Sequence, residues 1–523
     1  MSPAGGPQRT QPPPVARGVL PGQRRSPGQR RSADGHPLPG PAPGAGPHRL
    51  SLLAVLVALT CLTRLPSFTT PLWNPDEGFL ATQARMLAAG GELYTTVVDR
   101  KPPLLPWLYQ GAFAVFGDTS LRPLKAAAVL ATVTTAALLA SVARRRWGER
   151  AAWTAGVLSV LLSVGLNPED TQAATFEVFM LPWTAAAVRY ADRRHWASAG
   201  IAVAGAALTK QTGGAVLLPV LLLLARDRAG TVALLRLLVA CAAPIVAVAL
   251  HCGAARFLFW TVTGSASYAS VDGAELRALL RAAGGTALVC VAAAPVLAVL
   301  LHALRTRGCV VTAATADLWV WLGASAAAVT VGFQFFGHYF LQLLPPLTLL
   351  ATAALRGLRF RAAGMAVALT AVLAAGFVAW GFVAERSELA HARKVSAELK
   401  RRTAAGDPVL VWGMHPEDYW LADRRPATRY LTAGFLTNYS GGRGGVRTGR
   451  EHAVPGSWPR FRHDLAEHPP AVVVDDSRGK PYRPSRFPAL RRHLATHYDV
   501  AAVVDGAVVH VRSRETGSVR SDR

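Results

Sequence analysis

The stretch "WNPDEGFLATQARML", Trp73 to Leu87, sets two adjacent acids, Asp76 and Glu77, beyond a long apolar run and at the head of a helix-like pattern. A carboxylate held at a membrane surface among apolar helices can act as a general base toward a hydroxyl or an amine. Lys101, in "DRKPPLLPW", is the cation suited to a developing anion such as a phosphate leaving group in a site that excludes water. Glu177 is followed at once by apolar residues, and an ionisable group at membrane depth is a functional candidate by default. Lys210 sits between two half-length apolar segments and offers a second positive charge.

Each of these has a plainer reading. Asp76 can cap a helix, Glu77 can orient its neighbour, bind a cation or occupy the first helical turn, and Lys101 can snorkel to the interface. Lys210 can be a loop residue, and His338 a histidine at a helix end. Glu169 and Asp170, after Asn167-Pro168, read as solvated turn acids. In "WGMHPEDYWLADRRP", His415, Glu417, Asp418 and Tyr419 read as an ordinary helix start.

The elements that must position these groups are those of a membrane protein. Of 523 residues, 51% are hydrophobic and 17% charged, and mean hydropathy is +0.26, far from a soluble balance. The formal charge of +25 comes from Arg clusters between apolar runs and in the tails, a pattern of membrane topology and not of nucleic-acid binding. Cys61, Cys241, Cys252, Cys290 and Cys309 lie in or beside apolar segments, so no disulfide framework or Cys-rich zinc site is available. No P-loop, dinucleotide fingerprint or HExxH motif is present.

Residues 1–48, rich in Pro, Gly and Arg, read as a disordered basic cytoplasmic tail, and "LSLLAVLVALTCLTRL" as a retained first transmembrane helix. Apolar segments follow near Leu121–Ala143, Ala151–Leu166, Val178–Val188, Trp196–Leu208, Ala215–Leu224, Thr231–Leu250, Ala278–Leu304, Leu318–Phe336, Phe340–Leu355 and Ala362–Val383. This makes about 11 transmembrane helices over 49–384. With the tail inside, "RRRWGER", "RYADRRH", "ARDR", "RTR" and "RGLRFR" all fall inside, which satisfies the positive-inside rule. The first loop, 67–120, and the region 385–513 are then extracytoplasmic. In 385–513, β-branched runs such as "PVLVWG" and "AVVVDD" alternate with amphipathic stretches and predict a small α/β domain; 514–523 reads as a disordered tail.

The first-loop run "PDEGFLATQARMLAAGGELYTTVVDRKPPLLPWLY" resembles the membrane glycosyltransferases of the GT-C class, in the branch of protein O-mannosyltransferases and lipid A aminoarabinose transferases. So do "TFEVFMLPWTAAAVRYA", "GAALTKQTGGAVLLPVLLL" and "GHYFLQLLPPL". The resemblance implies a GT-C fold and transfer of a hexosyl or pentosyl group from a polyprenyl-phosphate sugar to an extracytoplasmic acceptor: a protein, a cell-envelope glycan or a glycolipid. It implies Asp76 as catalytic base, Lys101 as holder of the donor phosphate and Glu177 as a second functional carboxylate. His338 and Tyr339 match a basic-aromatic pair before a late "LLPP" helix. Some relatives carry an acid before the lysine that contributes to a metal site; here Arg100 stands there, so no metal or cofactor is carried over.

The expected protein is a multi-pass GT-C glycosyltransferase of the cell membrane with catalytic Asp76, Glu77 and Glu177 and donor phosphate held by Lys101, Lys210, His338 and Tyr339. Its partners are the lipid-linked donor, an acceptor and membrane lipids, with no nucleic acid. The alternative is a transporter or flippase of lipids or polyprenyl-linked sugars. The absence of an evident internal duplication and the outward clustering of the acids weigh against it.

Overall fold

The computed structural model describes residues 45–264, 273–306, 310–439 and 447–513, with side chains from 49 onward. The tails expected to be disordered, apart from 45–48, and Cys309 lie outside these residues. Helix α1 (Ala45–Thr63) begins inside the stretch expected to be tail.

The first loop holds α2 (Pro75–Ala88) and α3 (Leu104–Phe116). The membrane region continues with α4 (Arg122–Trp147), α5 (Glu149–Leu162), α6 (Pro168–Thr171), α7 (Phe176–Asp192), α8 (Trp196–Thr209) and α9 (Leu217–Arg226). Beyond these come α10 (Gly230–His251), α11 (Ala254–Thr261), α12 (Glu275–Ala292), α13 (Ala294–Thr306), α14 (Ala316–Thr330), α15 (Leu344–Leu355) and α16 (Phe360–Val383).

Among the described residues, four helical stretches are long and apolar enough to cross a membrane: Arg122–Trp147, Gly230–His251, Gly337–Leu355 and Phe360–Arg402. Several of the other expected spans are shorter apolar helices. The run Ala278–Leu304, expected as one span, is two helices bent by 85°. Pro295 explains the break, since it lacks the N–H for the helical bond and its ring collides with the preceding turn. Trp196–Leu208 and Ala215–Leu224 are α8 and α9, joined through Lys210 in extended backbone and a 3-10 turn over Gln211–Val216. The expected helix from Leu318 to Phe336 stops at Thr330; Phe333 and Phe335 take positive φ, and the chain restarts as a 3-10 turn over Gly337–Leu343.

The surface matches a bilayer. Val232, Leu235 and Leu250 on α10 and Val372 on α16 are more than 60% exposed, which water would penalise and lipid does not.

After α17 (Ser387–Arg402) the C-terminal region forms one five-stranded sheet from β1 (Pro408–Trp412), β2 (Arg425–Pro426), β3 (Val472–Asp475), β4 (Tyr498–Val504) and β5 (Ala507–Arg512). Its order is β2-β1-β3-β5-β4. The β2-β1-β3 part is parallel, with Leu410 opposite Val473, and β5 pairs antiparallel to β3 and β4. β1 and β3 are nearly continuous buried runs, as central parallel strands must be, while β4 at the edge is largely exposed. The α/β expectation holds. Helices α18 (Glu417–Ala422), α19 (Gly434–Thr437), α20 (Ser457–Glu467) and α21 (Pro488–His497) flank the sheet.

The C-terminal region rests on α2, the helix that carries Asp76. A Cβ on Gly78 would lie 2.4 Å from the Cα of Glu417, so the two backbones meet only because residue 78 has no side chain. Thr82 donates from Oγ1 to the Pro416 carbonyl, and Trp420 donates from Nε1 to the Asp118 carbonyl. Gly78→Val is expected to push α18 off α2 and destabilise the protein by about 1–3 kcal/mol, the usual range for overpacking, read as a lower thermal midpoint in lipid.

Candidate active site

The sequence Asn74-Pro75-Asp76-Glu77 starts α2 with a full set of helix signals. Asn74 is the N-cap, Pro75 follows it at the first helical position, and Glu77 closes a capping box. The plain reading of Asp76 as the cap is therefore answered: Asn74 Oδ1 accepts from the Asp76 N–H at 2.9 Å, and the Asp76 carboxylate is left for other work. It pairs with Lys101, Nζ to Oδ2 at 2.9 Å, with both side chains partly open to solvent.

Glu77 is fully buried. One oxygen accepts from the Trp73 N–H at 2.6 Å and more weakly from the Asn74 N–H at 3.4 Å. The other accepts from the Ala174 N–H at 2.8 Å. Both oxygens thus serve backbone amides, and Glu77 ties the start of α2 to the segment before α7.

Other buried bonds strengthen the same joint. Tyr109 donates to the Ala174 carbonyl at 2.7 Å, Ser67 donates to Gln172, and Lys125, buried on α4, donates to the carbonyls of Ser67 and Thr70. Lys125 escaped the sequence reading because it sits in an apolar helix with no local partner.

The segment 99–103 is fixed as firmly. Asp99 accepts from the Lys101 N–H at 3.2 Å and from Gln83 Nε2 at 3.3 Å, and Tyr94 donates to the Lys101 carbonyl at 2.9 Å. The Lys101 ammonium lies 4.0 Å from the centre of the Phe176 ring, at the start of α7. The next residue, Glu177, is buried and paired with Lys210. Lys210 in turn lies 3.7 Å from the centre of the Tyr339 ring. The extended backbone at Lys210 is what turns its side chain inward between α8 and the 3-10 turn.

His338 completes the group. Its Nδ1 is 3.0 Å from Asp170 Oδ1, which also accepts from the His338 N–H at 2.9 Å. The ring stacks on Phe336 at an interplanar angle of 7°. Asp170, read from sequence as a solvated turn acid, is the clamp on this histidine; the reason lies in residues 168 positions away. Glu169 keeps the expected exposure, but the surrounding protein and the Asp170 charge push its carboxyl up to about 7.

Asp76, Lys101, Glu177, Lys210, His338 and Tyr339 thus form one continuous set linked through Phe176, with Glu77 behind it. Burial raises the Asp76 carboxyl, but the Lys101 ammonium, His338 and Lys210 outweigh it and hold the group below its ordinary range. Asp99 is the opposite case. Burial, opposed by Lys101 and aided by the Asp76 charge, pushes its carboxyl up to about 6.

The sequence pattern of the family described as "Dolichyl-phosphate-mannose-protein mannosyltransferase" matches residues 100–251, which include Lys101, Glu177 and Lys210. No curated protein matches the chain by sequence. Among solved structures, the chain is similar to ArnT from Cupriavidus metallidurans bound to undecaprenyl phosphate: TM-score 0.60 and 16% identity, over 90% of this chain and 99% of that one. The apo form of the same protein gives TM-score 0.60 and 16% identity, over 88% and 98%. The archaeal oligosaccharyltransferase AglB from Archaeoglobus fulgidus, in complex with an inhibitory peptide and a dolichol-phosphate, gives TM-score 0.47 and 12% identity, over 89% and 74%. None of these matches favours the transporter alternative.

Two measurements test the site's construction. Glu77→Gln cannot accept at both oxygens, so the start of α2 shifts from Ala174; a displacement of about 1 Å at Asp76 is expected to lower kcat by about 100-fold with the fold retained, read by kinetics beside circular dichroism. The raised Asp99 carboxyl makes stability fall as pH rises from about 4 to 6, because the unfolded chain gives up this proton first. Asp99→Asn is expected to lack that component in thermal unfolding measured across the same pH range.

The family pattern thus falls on the segment that holds both lysines, and the chain shares the fold of ArnT along most of its length.

Proposed function

We propose that this protein transfers a sugar from a polyprenyl-phosphate donor to an acceptor on the extracytoplasmic side, with Asp76 as general base. The observation that carries the reading is the Asp76–Lys101 pair at the head of α2, with a second lysine, the buried Lys210, behind it. The undecaprenyl phosphate bound to ArnT, a protein of the same fold, supports a lipid-phosphate donor.

In this reading the pairing is also the control. While Lys101 neutralises Asp76, the carboxylate is a weak base, since its proton affinity lies below the ordinary range. A donor phosphate that draws the Lys101 ammonium toward itself leaves Asp76 with burial as its main influence, which strengthens the base as the leaving group becomes stabilised. Asp76 removes the acceptor proton, the acceptor oxygen or nitrogen bonds to the anomeric carbon, and the bond to the phosphate oxygen breaks. Lys101, with Lys210 and His338, takes up the negative charge of the departing polyprenyl phosphate. Tyr339 orients Lys210 through its ring face, and Glu177 keeps that lysine charged until the phosphate arrives. One base opposite the leaving group gives inversion at the anomeric carbon. The donor is already activated, so the scheme uses neither nucleotide nor bound cofactor. The N-terminus is cytoplasmic and the outer α/β region extracytoplasmic, as the charge pattern of the connections indicates.

Release of polyprenyl phosphate from a panel of lipid-linked sugars, with protein in lipid and a crude envelope acceptor fraction, tests the reading. Wild type is expected to release it and Asp76→Asn to lose about 100-fold to 10,000-fold in rate; equal release by both would remove Asp76 from the mechanism. Infrared titration of the Asp76 carboxylate, identified by subtraction of Asp76→Asn, tests the pairing. In Lys101→Met the titration is expected to move to higher pH, because the cation that favours the ionised form is gone and burial remains.

A further inference from the structure

Away from this site lies a cavity of about 750 Å3 that the scheme above does not use. It opens between the second half of α2, the turn after α3, the stretch from Trp420 to Arg429 and the end of α20. Arg85 lies nine residues beyond Asp76, about 13 Å along α2 at the helical rise. A group bound against Arg85 is thereby set apart from the Asp76 carboxylate.

The lining has a definite chemical character. Four arginines and four carboxylates face the cavity, so it carries no net charge to attract a phosphate or an acidic headgroup. Two of the arginines are held by lining carboxylates, and Arg424 is held by Thr403 and backbone carbonyls. Arg85 bridges Asp118 at 2.6 Å and Asp423 at 2.9 Å, and Arg429 grips Asp464 through two bonds of 2.7 and 2.9 Å. Asp118 and Asp423 nevertheless keep 45% and 65% of their side-chain surface open. Met86, Val97 and Phe113 give the wall apolar patches beside the hydroxyls of Thr82, Thr96 and Thr428, and Gly90 and Gly117 leave backbone uncovered.

Fixed donors beside fixed acceptors, with an apolar wall and a balanced charge, suit a ligand whose neighbouring hydroxyls both donate and accept and whose ring faces are apolar. That ligand is a neutral sugar unit. We propose that the cavity between α2 and the α18–β2 stretch is a glycan-binding subsite that holds a distal unit of an extended, neutral oligosaccharide acceptor. Its assignment to the acceptor rests on the transferase reading; its binding of glycan does not.

The test is saturation-transfer NMR on full-length protein in lipid nanodiscs with neutral mannose, glucose and arabinose tetrasaccharides and one sulfated tetrasaccharide. Wild type and Asp76→Asn are expected to bind at least one neutral tetrasaccharide. The double variant Asp423→Ala, Arg425→Ala, at exposed positions, is expected to bind it at least tenfold more weakly and to retain polyprenyl-phosphate release with a single-sugar acceptor. The proposal is overturned if no neutral tetrasaccharide binds, if only the sulfated one does, or if the double variant binds as wild type does. It also falls if Asp76→Asn abolishes binding, which would put the glycan at the catalytic mouth alone. Binding without any polyprenyl-phosphate release would keep the subsite and remove the transferase reading; release without binding would do the reverse.

Discussion

A charge placed among apolar helices must have a partner, and this constraint governs the end of the membrane region that carries Asp76. Lys101 has Asp76, Lys210 has Glu177, and His338 has Asp170. Each basic group also lies against an aromatic ring: Phe176, Tyr339 and Phe336 respectively. A site assembled this way is nearly balanced before any donor arrives. In the proposed scheme an incoming phosphate exchanges partners with the carboxylates, and the exchange couples leaving-group stabilisation to the strength of the base.

Such exchange works only if the participants cannot wander. The head of α2 is capped by Asn74, fastened through Glu77 to Ala174, and supported by Lys125 and Tyr109 from neighbouring helices. The lysine segment is fastened separately through Asp99 and Tyr94. Two pieces of one loop thus face each other across the Asp76–Lys101 ion pair, joined also through Gln83 and Asp99. The C-terminal sheet region adds a third restraint, since α18 seats directly on Gly78, two residues from Asp76.

Much of this was legible in the residue pattern. The apolar periodicity identified the membrane region, and the β-branched runs marked the strands β1 and β3 within the α/β region. The signal Asn-Pro-Asp-Glu marked a helix start, and the acids behind an apolar run marked a site. What failed were inferences about local role. Asp170 looked like a solvated turn acid because its partner, His338, is 168 residues away. Glu77 looked chemically available because the Ala174 amide that occupies it belongs to another segment. The single span expected over Ala278–Leu304 ignored the capacity of Pro295 to split a helix whose apolar content is otherwise continuous.

The sequence by itself determined the solvent, the class of fold and the residue types available for chemistry, because hydropathy, charge placement and capping signals act over a turn or a span. Which carboxylate meets which lysine was decided by tertiary structure alone. A hydrogen bond reaches about 3 Å, and segments from four parts of the chain had to be brought within that distance before Asp76 could be told from Glu77, or Asp170 from Glu169.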